Sequence, residues 1–485
     1  MRTVQLVFSA YVSRAVGAEG IGLNTLIMTV YSFAVTFATS GISLSVTRLV
    51  ASKIGEGRES EAGKVLRGAV CYALFFGALS FLLLFSLSGV LSRYVISHED
   101  TAFSLVILSL SLIPTALSSV INGYFVGVKK VACNAFVQVV GQTFRMVLTV
   151  YLLFAMAEGG TLRAVSALCI GTSATEVLCF LLSLFLLFVD RIKRKNKVRG
   201  RDIKSVAAMA IPLAVSAYIR SALLTLEHSL IPKRLKKHGE NTSEALSSYG
   251  YLHGMALPLV LYPMTPLSSF AGLLVPEFAE AEASNNKRRL ERIAGEAMGT
   301  TMIFAVATAV LLYLFSEELG YTVYSSYEAG RYIAFLAPVV PIMYLDHVAD
   351  AILKGVGEQV YSMWVNIFDV IISIALVFFL LPIMGIAGYA VVIIVMEGFN
   401  FVLSVARLRK RIKFKIDFVS SALFPSLAAL TSALLSNLLI SIKGESVGAG
   451  LLAVKLILAV CIFLAVMSLL NLLREITTKK EARLK

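Results

Sequence analysis

Charged residues are scarce in this sequence. Asp, Glu, Lys and Arg make up 15% of its 485 residues, whereas hydrophobic residues make up 58% and the mean hydropathy is +0.82. A soluble domain typically has about 25% charged residues. This shortage excludes an ordinary soluble protein and predicts an integral membrane protein.

Sites for several common chemistries are also missing. The five cysteines lie in or beside apolar runs, are odd in number and lack metal-ligand spacing. They therefore predict neither a disulfide framework nor a metal site. The histidines are not paired as ligands, and the sequence has no Walker-type loop, HEXXH motif or nucleophile elbow. We expect no cofactor, no metal and no ATP chemistry within this chain. The first apolar stretch lacks a cleavage site, so no cleavable signal peptide is predicted.

Long apolar segments fill most of the chain. A helix that crosses a bilayer needs about 20 mostly apolar residues. The pattern predicts an all-α polytopic membrane protein with about fourteen transmembrane helices. The first predicted span has only Thr3 to Val16 available, about 21 Å of helix against a hydrocarbon core of about 30 Å. It is either a half-span or an N-terminally truncated helix, and we favour truncation.

The positive charges predict an orientation. The side that holds both termini carries 32 Lys and Arg residues, and the opposite side carries nine. Cytoplasmic loops are rich in Lys and Arg, so both termini are predicted to be cytoplasmic in a bacterial plasma membrane. The outer segment 233–244 is an exception, and we interpret it as a polar extension of the seventh span. The net charge of +14 thus reflects loops, and no nucleic-acid partner is expected.

A basic run from Asp190 to Lys204 contains eight Lys and Arg residues near the middle of the chain. Such a run could bind nucleic acid, but its position between apolar spans favours a cytoplasmic linker. Gly127 and Gly355 end two predicted spans in similar contexts, 228 residues apart. This offset predicts two parallel copies of a six-helix lobe, at 1–189 and 205–407, joined by linker 190–204. Residues 408–485 would add two helices and a basic tail. Chance recurrence of Gly-Val pairs is the alternative.

Six stretches carry a resemblance to a known family. They are SRAVGAEGIGLNTLIMTVYSFAVTFATSGISLSVTRLVA, NGYFVGVKKVACNAFVQVVGQTFRM, LIPKRL, EALSSYGYLHGMALPLVLYP, LLVPEFAEA and ILKGVGEQ. The chain resembles the polysaccharide flippases of the multidrug/oligosaccharidyl-lipid/polysaccharide exporter superfamily, in the stage V sporulation protein B-like branch related to the murein lipid II flippase. The resemblance covers nearly the whole chain. It implies a full-length first helix, a V-shaped pair of lobes that alternates access, and a lipid-linked cargo used in polysaccharide or peptidoglycan biosynthesis, including sporulation.

Arginines within the spans are the first candidate site. Charges there are costly and point to function, and a guanidinium can bind the pyrophosphate of a lipid-linked precursor through two hydrogen bonds. The predicted substrate-binding residues, placed in the cleft between the lobes, are Arg14, Arg48, Arg145 and Arg220, with Arg2 as a further member. Alternatively, Arg14 and Arg48 could extend to the membrane interface.

Internal ion pairs are the alternative for the other arginines. Arg145 could pair with Glu176, and Arg220 could pair with Glu227. By resemblance, Arg2, Arg14 and Arg48 fall at positions where the lipid II flippase branch is also basic. Phe8 stands where that branch carries a further arginine, which leaves the identity of the cargo open.

A cation site is the second candidate. Asn366 and Asp369 lie one helical turn apart and, with Glu227, loosely resemble an oxygen-ligand sodium site of some flippases. Na⁺ or H⁺ binding there would couple transport to an ion gradient. Alternatively, Asp369 pairs with an arginine.

These observations predict a flippase that moves an undecaprenyl-linked polysaccharide or peptidoglycan precursor across the cytoplasmic membrane by alternating access. Its partners would be this precursor and membrane lipids, and it would act as a monomer. The alternative is a cation-coupled multidrug antiporter, a class that needs a carboxylate deep in the first lobe. An enzyme of lipid-linked sugar chemistry is a third class, which the short outer loops disfavour.

Overall fold

The structure is a computed structural model that describes residues 2–56, 58–156, 160–194, 200–284, 286–414, 417–440 and 449–484. In these residues every regular element is helical. This follows from the composition, because a backbone in lipid must satisfy its hydrogen bonds within the segment itself. Eleven helical segments are long and apolar enough to cross a membrane, or twelve if Ile203–Pro212 and Ala214–His238 form one bent span. The predicted count of fourteen is not confirmed.

The chain divides into two compact units, Met1–Gly250 and Tyr251–Lys485. The helices of unit 1 are α1 (Arg2–Thr39), α2 (Ile42–Gly55), α3 (Glu59–Leu91), α4 (Ala102–Ser109), α5 (Leu112–Gly127), α6 (Val131–Ala155), α7 (Gly160–Arg194), α8 (Ile203–His238) and α9 (Thr242–Tyr249). Those of unit 2 are α10 (Leu257–Leu261), α11 (Thr265–Ala283), α12 (Lys287–Leu314), α13 (Ser316–Tyr324), α14 (Tyr327–Leu336), α15 (Val340–Gly355), α16 (Gln359–Arg411), α17 (Phe424–Leu439) and α18 (Ala449–Leu484).

Two of the longest helical segments are interrupted by glycine. Gly17 in α1 and Gly385 in α16 have positive φ and non-helical ψ. In α16 the Tyr361 hydroxyl donates to the Leu403 carbonyl over 3.3 Å. A straight helix would hold these residues about 63 Å apart. The two halves of α16 therefore run side by side in opposite directions. In α1, the part before Gly17 is a short helix, as predicted for the first span.

The described ends of the basic linker are attached to unit 1. The Tyr124 hydroxyl donates to the buried Asp190 carboxylate over 2.9 Å. At the other end the Asp202 amide donates to the Lys64 carbonyl over 3.1 Å, and α8 packs against α1 and α3. Residues 195–199 lie outside the described part of the chain. The predicted domain boundaries at 189–190, 204–205 and 407–408 stay predictions.

The internal repeat has a counterpart in the packing of each unit. A Cβ added at Gly127 would lie 3.0 Å from the Thr47 carbonyl oxygen, so any larger residue there would crowd the contact of α5 with α2. A side chain at Gly355 would lie 3.0 Å from the Val275 carbonyl, so α15 approaches α11 in the same way. Thr47 and Val275 are also 228 positions apart. Close approach at small residues drives helix packing in membranes, so both units use one helix contact in the same register.

Candidate functional site

Polar side chains form stripes on three neighbouring helices of unit 1. The stripe on α5 consists of Thr115, Ser118, Ser119 and Asn122; that on α6 of Asn134, Gln138, Gln142 and Arg145; and that on α7 of Thr172, Thr175, Glu176 and Ser183. Their spacings of three, four or seven residues place each set along one helix face. Because α6 packs against α5 and α7, and α5 against α7, the stripes face one another inside an otherwise apolar unit.

The stripes enclose two adjoining cavities. One has a volume of about 420 Å³ and is bounded in addition by Gln5 of α1. The other has a volume of about 330 Å³. Gln138, Glu176 and Cys179 line both, so the two cavities meet at these side chains. Volumes of this size are typical of small-molecule sites. A polar cavity among membrane-spanning helices is costly and is characteristic of a transport pathway.

Opposite charges face the cavities from α6 and α7. The half-buried Arg145 guanidinium lies 6.0 Å from the centre of the Phe8 ring. The half-buried Glu176 carboxylate accepts a hydrogen bond of 3.1 Å from the Thr115 hydroxyl. Arg145 and Glu176 attract each other electrostatically, but in the described part of the chain Arg145 has no carboxylate within 4.0 Å. The alternative considered from the sequence, an Arg145–Glu176 ion pair, is thus not formed at salt-bridge distance, although the two charges attract each other.

Lys455 shows how a purely structural cation in a span is accommodated. It lies in α18 with 1% exposure. Its ammonium donates to both oxygens of Glu318 over 2.6 and 2.9 Å and lies 5.1 Å from the Phe315 ring centre. Charge and hydrogen bonds are thus satisfied within unit 2. Arg145 lacks such a carboxylate, and this contrast favours a ligand-binding role for Arg145.

Some of the other polar side chains in the stripes have hydrogen-bond partners, and some do not. The Asn134 amide donates to the Asn122 side-chain oxygen over 2.5 Å and ties α6 to α5. The Ser118 hydroxyl and the Gln142 amide nitrogen are buried and have no hydrogen-bond partner among the described residues. A buried donor or acceptor without a partner costs about 1–3 kcal/mol. A hydroxyl-rich or amide-bearing ligand, or water, would offset this cost.

The family of the chain follows from comparison with known proteins. A family model described as "Polysaccharide biosynthesis protein" matches residues 1–282, more than half of the chain. The chain belongs to this polysaccharide biosynthesis family. A second family model, MatE, matches residues 243–379.

Two curated proteins of Bacillus subtilis (strain 168) resemble this member of the polysaccharide biosynthesis family. Stage V sporulation protein B is 24% identical over 408 residues, covering 81% of this chain and 78% of that protein. Lipid II flippase MurJ is 21% identical over 411 residues, covering 77% of this chain and 74% of that protein.

A solved structure of lipid II flippase MurJ in an inward closed conformation has the same fold. Its TM-score is 0.73 at 13% identity, over 98% of both chains. The apolar helices and this likeness together identify a multi-pass membrane protein with the fold of the multidrug/oligosaccharidyl-lipid/polysaccharide exporter superfamily.

The predicted arginines do not share one environment in unit 1. Arg145 is in the wall of the larger cavity. Arg14 in α1, Arg48 in α2 and Arg220 in α8 are exposed on unit 1, and neither cavity includes them. The ion pair between Arg220 and Glu227, considered from the sequence as the alternative, does not form in the described part of the chain. The Arg2 side chain lies outside the described residues. A pyrophosphate-binding role for these arginines stays a prediction.

The predicted cation-coupling residues lie in different units. Glu227 is buried in α8 of unit 1, with 7% exposure. Asn366 and Asp369 are half-buried in α16 of unit 2. The Asn366 amide donates to the Ser362 carbonyl of its own helix over 2.7 Å. Among the described residues, no group of three or more His, Cys, Asp or Glu side chains could hold a metal ion. Coupling of transport to Na⁺ or H⁺ stays a prediction.

Of the residues that line the cavities, only Arg145 and Glu176 were considered from the sequence. A search for formal charges overlooks the neutral Ser, Thr, Asn and Gln side chains. The signal that finds them is a polar period of three or four residues within an apolar helix. It is clearest on α6, where Asn134, Gln138 and Gln142 recur at intervals of four.

Proposed function

We propose that this protein is a flippase that moves an undecaprenyl-linked polysaccharide or peptidoglycan precursor across the bacterial cytoplasmic membrane by alternating access. The observation that carries the proposal is the polar cavity of unit 1, in whose wall Arg145 has no carboxylate within 4.0 Å among the described residues. Family membership supports it, as does the similarity to a protein named lipid II flippase.

The cavity chemistry fits the head group of such a cargo. A lipid-linked precursor carries pyrophosphate, sugar hydroxyls and amides. The Arg145 guanidinium would bind phosphate oxygens through charge-assisted hydrogen bonds. The Ser, Thr, Asn and Gln side chains offer both donors and acceptors to hydroxyl and amide groups. The lipid tail would remain in the bilayer, so unit 1 needs room only for polar groups.

The proposal includes an orientation and a mode of action. Both termini face the cytoplasm, since 32 basic residues lie on their side and nine on the other. The protein acts as a monomeric transporter and not as an enzyme, in line with the similar protein that is named lipid II flippase. An Na⁺ or H⁺ gradient drives transport, with Glu227, Asn366 and Asp369 as the coupling residues to be tested.

Transport of labelled lipid-linked precursor in proteoliposomes tests the role of Arg145. Loss of a hydrogen bond to a charged group costs about 1.5–3 kcal/mol, so Arg145→Gln should raise the KM for precursor about 10- to 100-fold. The matched control is Arg163→Gln, since Arg163 is exposed on α7 outside both cavities. Unchanged transport by Arg145→Gln would reject a binding role for Arg145.

A cation-coupled multidrug antiporter is the second candidate. Two observations favour it: the MatE match over residues 243–379, and Glu176, which places a carboxylate in the wall of both cavities. A carboxylate deep in the first lobe is the feature that this class needs. If drug efflux occurs without precursor transport and Glu176→Gln abolishes it, the antiporter is correct and the flippase is wrong.

A further inference from the structure

The C-terminal turns of α8 extend beyond what a membrane span requires. After the bend at Pro212, the segment Ala214–His238 has 25 residues and is about 37 Å long, whereas a bilayer core is about 30 Å thick. Its last eight residues read IPKRLKKH. The segment 233–244 was predicted to extend the seventh span, and the structure shows α8 continuing through His238.

The two faces of this extension differ sharply. Ile231 and Leu235 are fully buried in unit 1. Lys233, Lys236 and Lys237 occupy the opposite face, because they follow Ile231 by two, five and six residues at 3.6 residues per turn. Lys237 is exposed and the other two are partly exposed. We call these three side chains the lysine face.

The lysine face has no acidic partner among the residues that the structure describes. In the described part of the chain, neither Lys236 nor Lys237 has a carboxylate within 4.0 Å. The Lys233 ammonium donates to the carbonyl oxygen of Tyr94, a neutral group. Like charges three and four residues apart on a helix repel, so an anion on this face would relieve unfavourable repulsion.

Tyr94 indicates the depth of the lysine face in the membrane. It lies near the end of the apolar segment Glu61–Ile96 and its side chain is 65% exposed, while the nearby Phe103 is 62% exposed. Exposed aromatic side chains at the ends of spans are typical of the membrane interface. The contact between Lys233 and Tyr94 therefore places the lysine face at the level of lipid headgroups.

A structural role at the helix end does not account for all three lysines. Cations in the last turn are stabilised by the helix dipole, but this effect falls off within that turn. Lys236 and Lys237 are in the last turn of α8, and Lys233 is not. Basic residues are also disfavoured on the predicted outer side, so a partner of opposite charge explains the cluster better.

We propose that the lysine face is a docking surface for the phosphate groups of anionic phospholipids in the leaflet at this end of α8. Binding holds the extension of α8 against the membrane surface. The lysine face is separate from the cavities, so this proposal does not depend on the cargo.

The full chain in nanodiscs tests this proposal. One set of nanodiscs contains phosphatidylcholine alone, and the other also contains phosphatidylglycerol. The variant Lys233→Gln/Lys236→Gln/Lys237→Gln removes the charges, and the matched control with three Lys→Arg changes retains them. Native mass spectrometry counts retained phosphatidylglycerol, and thermal unfolding reports stability in each lipid.

The expected result is a lipid-dependent difference. Each lysine should contribute about a fivefold preference for anionic lipid, so the triple Gln variant retains less phosphatidylglycerol and loses stability only in mixed nanodiscs. The triple Arg variant should behave like the wild type. Equal loss of stability in both lipids would show a helix-end role and overturn the proposal. Equal stabilisation of the wild type by inorganic phosphate in pure phosphatidylcholine would show a soluble-anion site and also overturn it.

Discussion

The contact between α6 and α7 at the cavities can be tested through Gly141, which is buried in α6. A methyl group at Gly141 would lie 2.3 Å from the Cys179 sulfur and 3.6 Å from the Thr175 methyl carbon. The first separation is far below van der Waals contact, so Cys179 must move in the variant Gly141→Ala. Overpacking of this kind costs about 1–3 kcal/mol.

The alanine also has a favourable effect that must be separated from the clash. Alanine is preferred over glycine inside a helix by about 0.5–1 kcal/mol. Because the two effects oppose each other, Gly141→Ala alone should lower the free energy of unfolding by up to about 2.5 kcal/mol. In a Cys179→Ala background the sulfur is absent, and Gly141→Ala should stabilise the protein by about 0.5–1 kcal/mol.

The measured quantity is the coupling energy between the two positions. A double-mutant cycle subtracts the helix preference and leaves the clash. It requires four proteins and reversible unfolding in mixed detergent micelles followed by circular dichroism. We expect a coupling energy of about 1–3 kcal/mol. An equal effect of Gly141→Ala in both backgrounds would refute close packing of α6 on α7 at the cavities.

Two further predictions concern unit 2. Gly385 has φ 61° and ψ −147°, a region that only glycine adopts readily, so Gly385→Ala should lower the free energy of unfolding by about 1–3 kcal/mol. Gly398→Ala is the control, because no atom lies within 4 Å of the added carbon at Gly398. This variant should raise the free energy of unfolding by up to about 1 kcal/mol. Similar free energies of unfolding for the two variants would contradict the reversal of α16 at Gly385. The Arg407 and Arg411 guanidinium groups, which donate to the Glu358 carboxylate over 2.8 and 2.6 Å, hold the pKa of Glu358 below its ordinary value. A lowered pKa means that this stabilisation is complete above the unfolded pKa of about 4.3 and is lost as pH falls further. The unfolding temperature should therefore fall in acid, and Glu358→Gln should weaken this pH dependence; an unchanged profile would show that these hydrogen bonds do not form.

The sequence was informative wherever the physics is local. Insertion into lipid depends on the summed polarity of about 20 consecutive residues, so the apolar segments could be predicted directly. Gly127 and Gly355 could also be recognised, because a repeated helix contact demands a small residue at the same place in each copy. The segment 233–244, interpreted from its charge as a polar extension of the seventh span, continues α8 as far as His238.

The assignment of charged residues shows where sequence reasoning stopped. Arg145 and Arg220 look alike in sequence, since each is a lone arginine in an apolar helix. The structure places Arg145 in a cavity wall and leaves Arg220 exposed on unit 1. Lys455 was not recognised as a buried cation, because Glu318, the partner that makes its burial tolerable, is 137 residues away.

The sequence by itself determined the membrane-spanning helical class, the predicted orientation and the family resemblance. Each depends on composition, on loop charge or on motifs within one stretch of chain. Only the tertiary structure decided that polar stripes on three helices enclose one pair of cavities. The contact of Thr115 with Glu176 and that of Arg145 with Phe8 join residues far apart in the chain. Such contacts depend on how each helix is rotated about its axis and packed against its neighbours, which no single segment specifies.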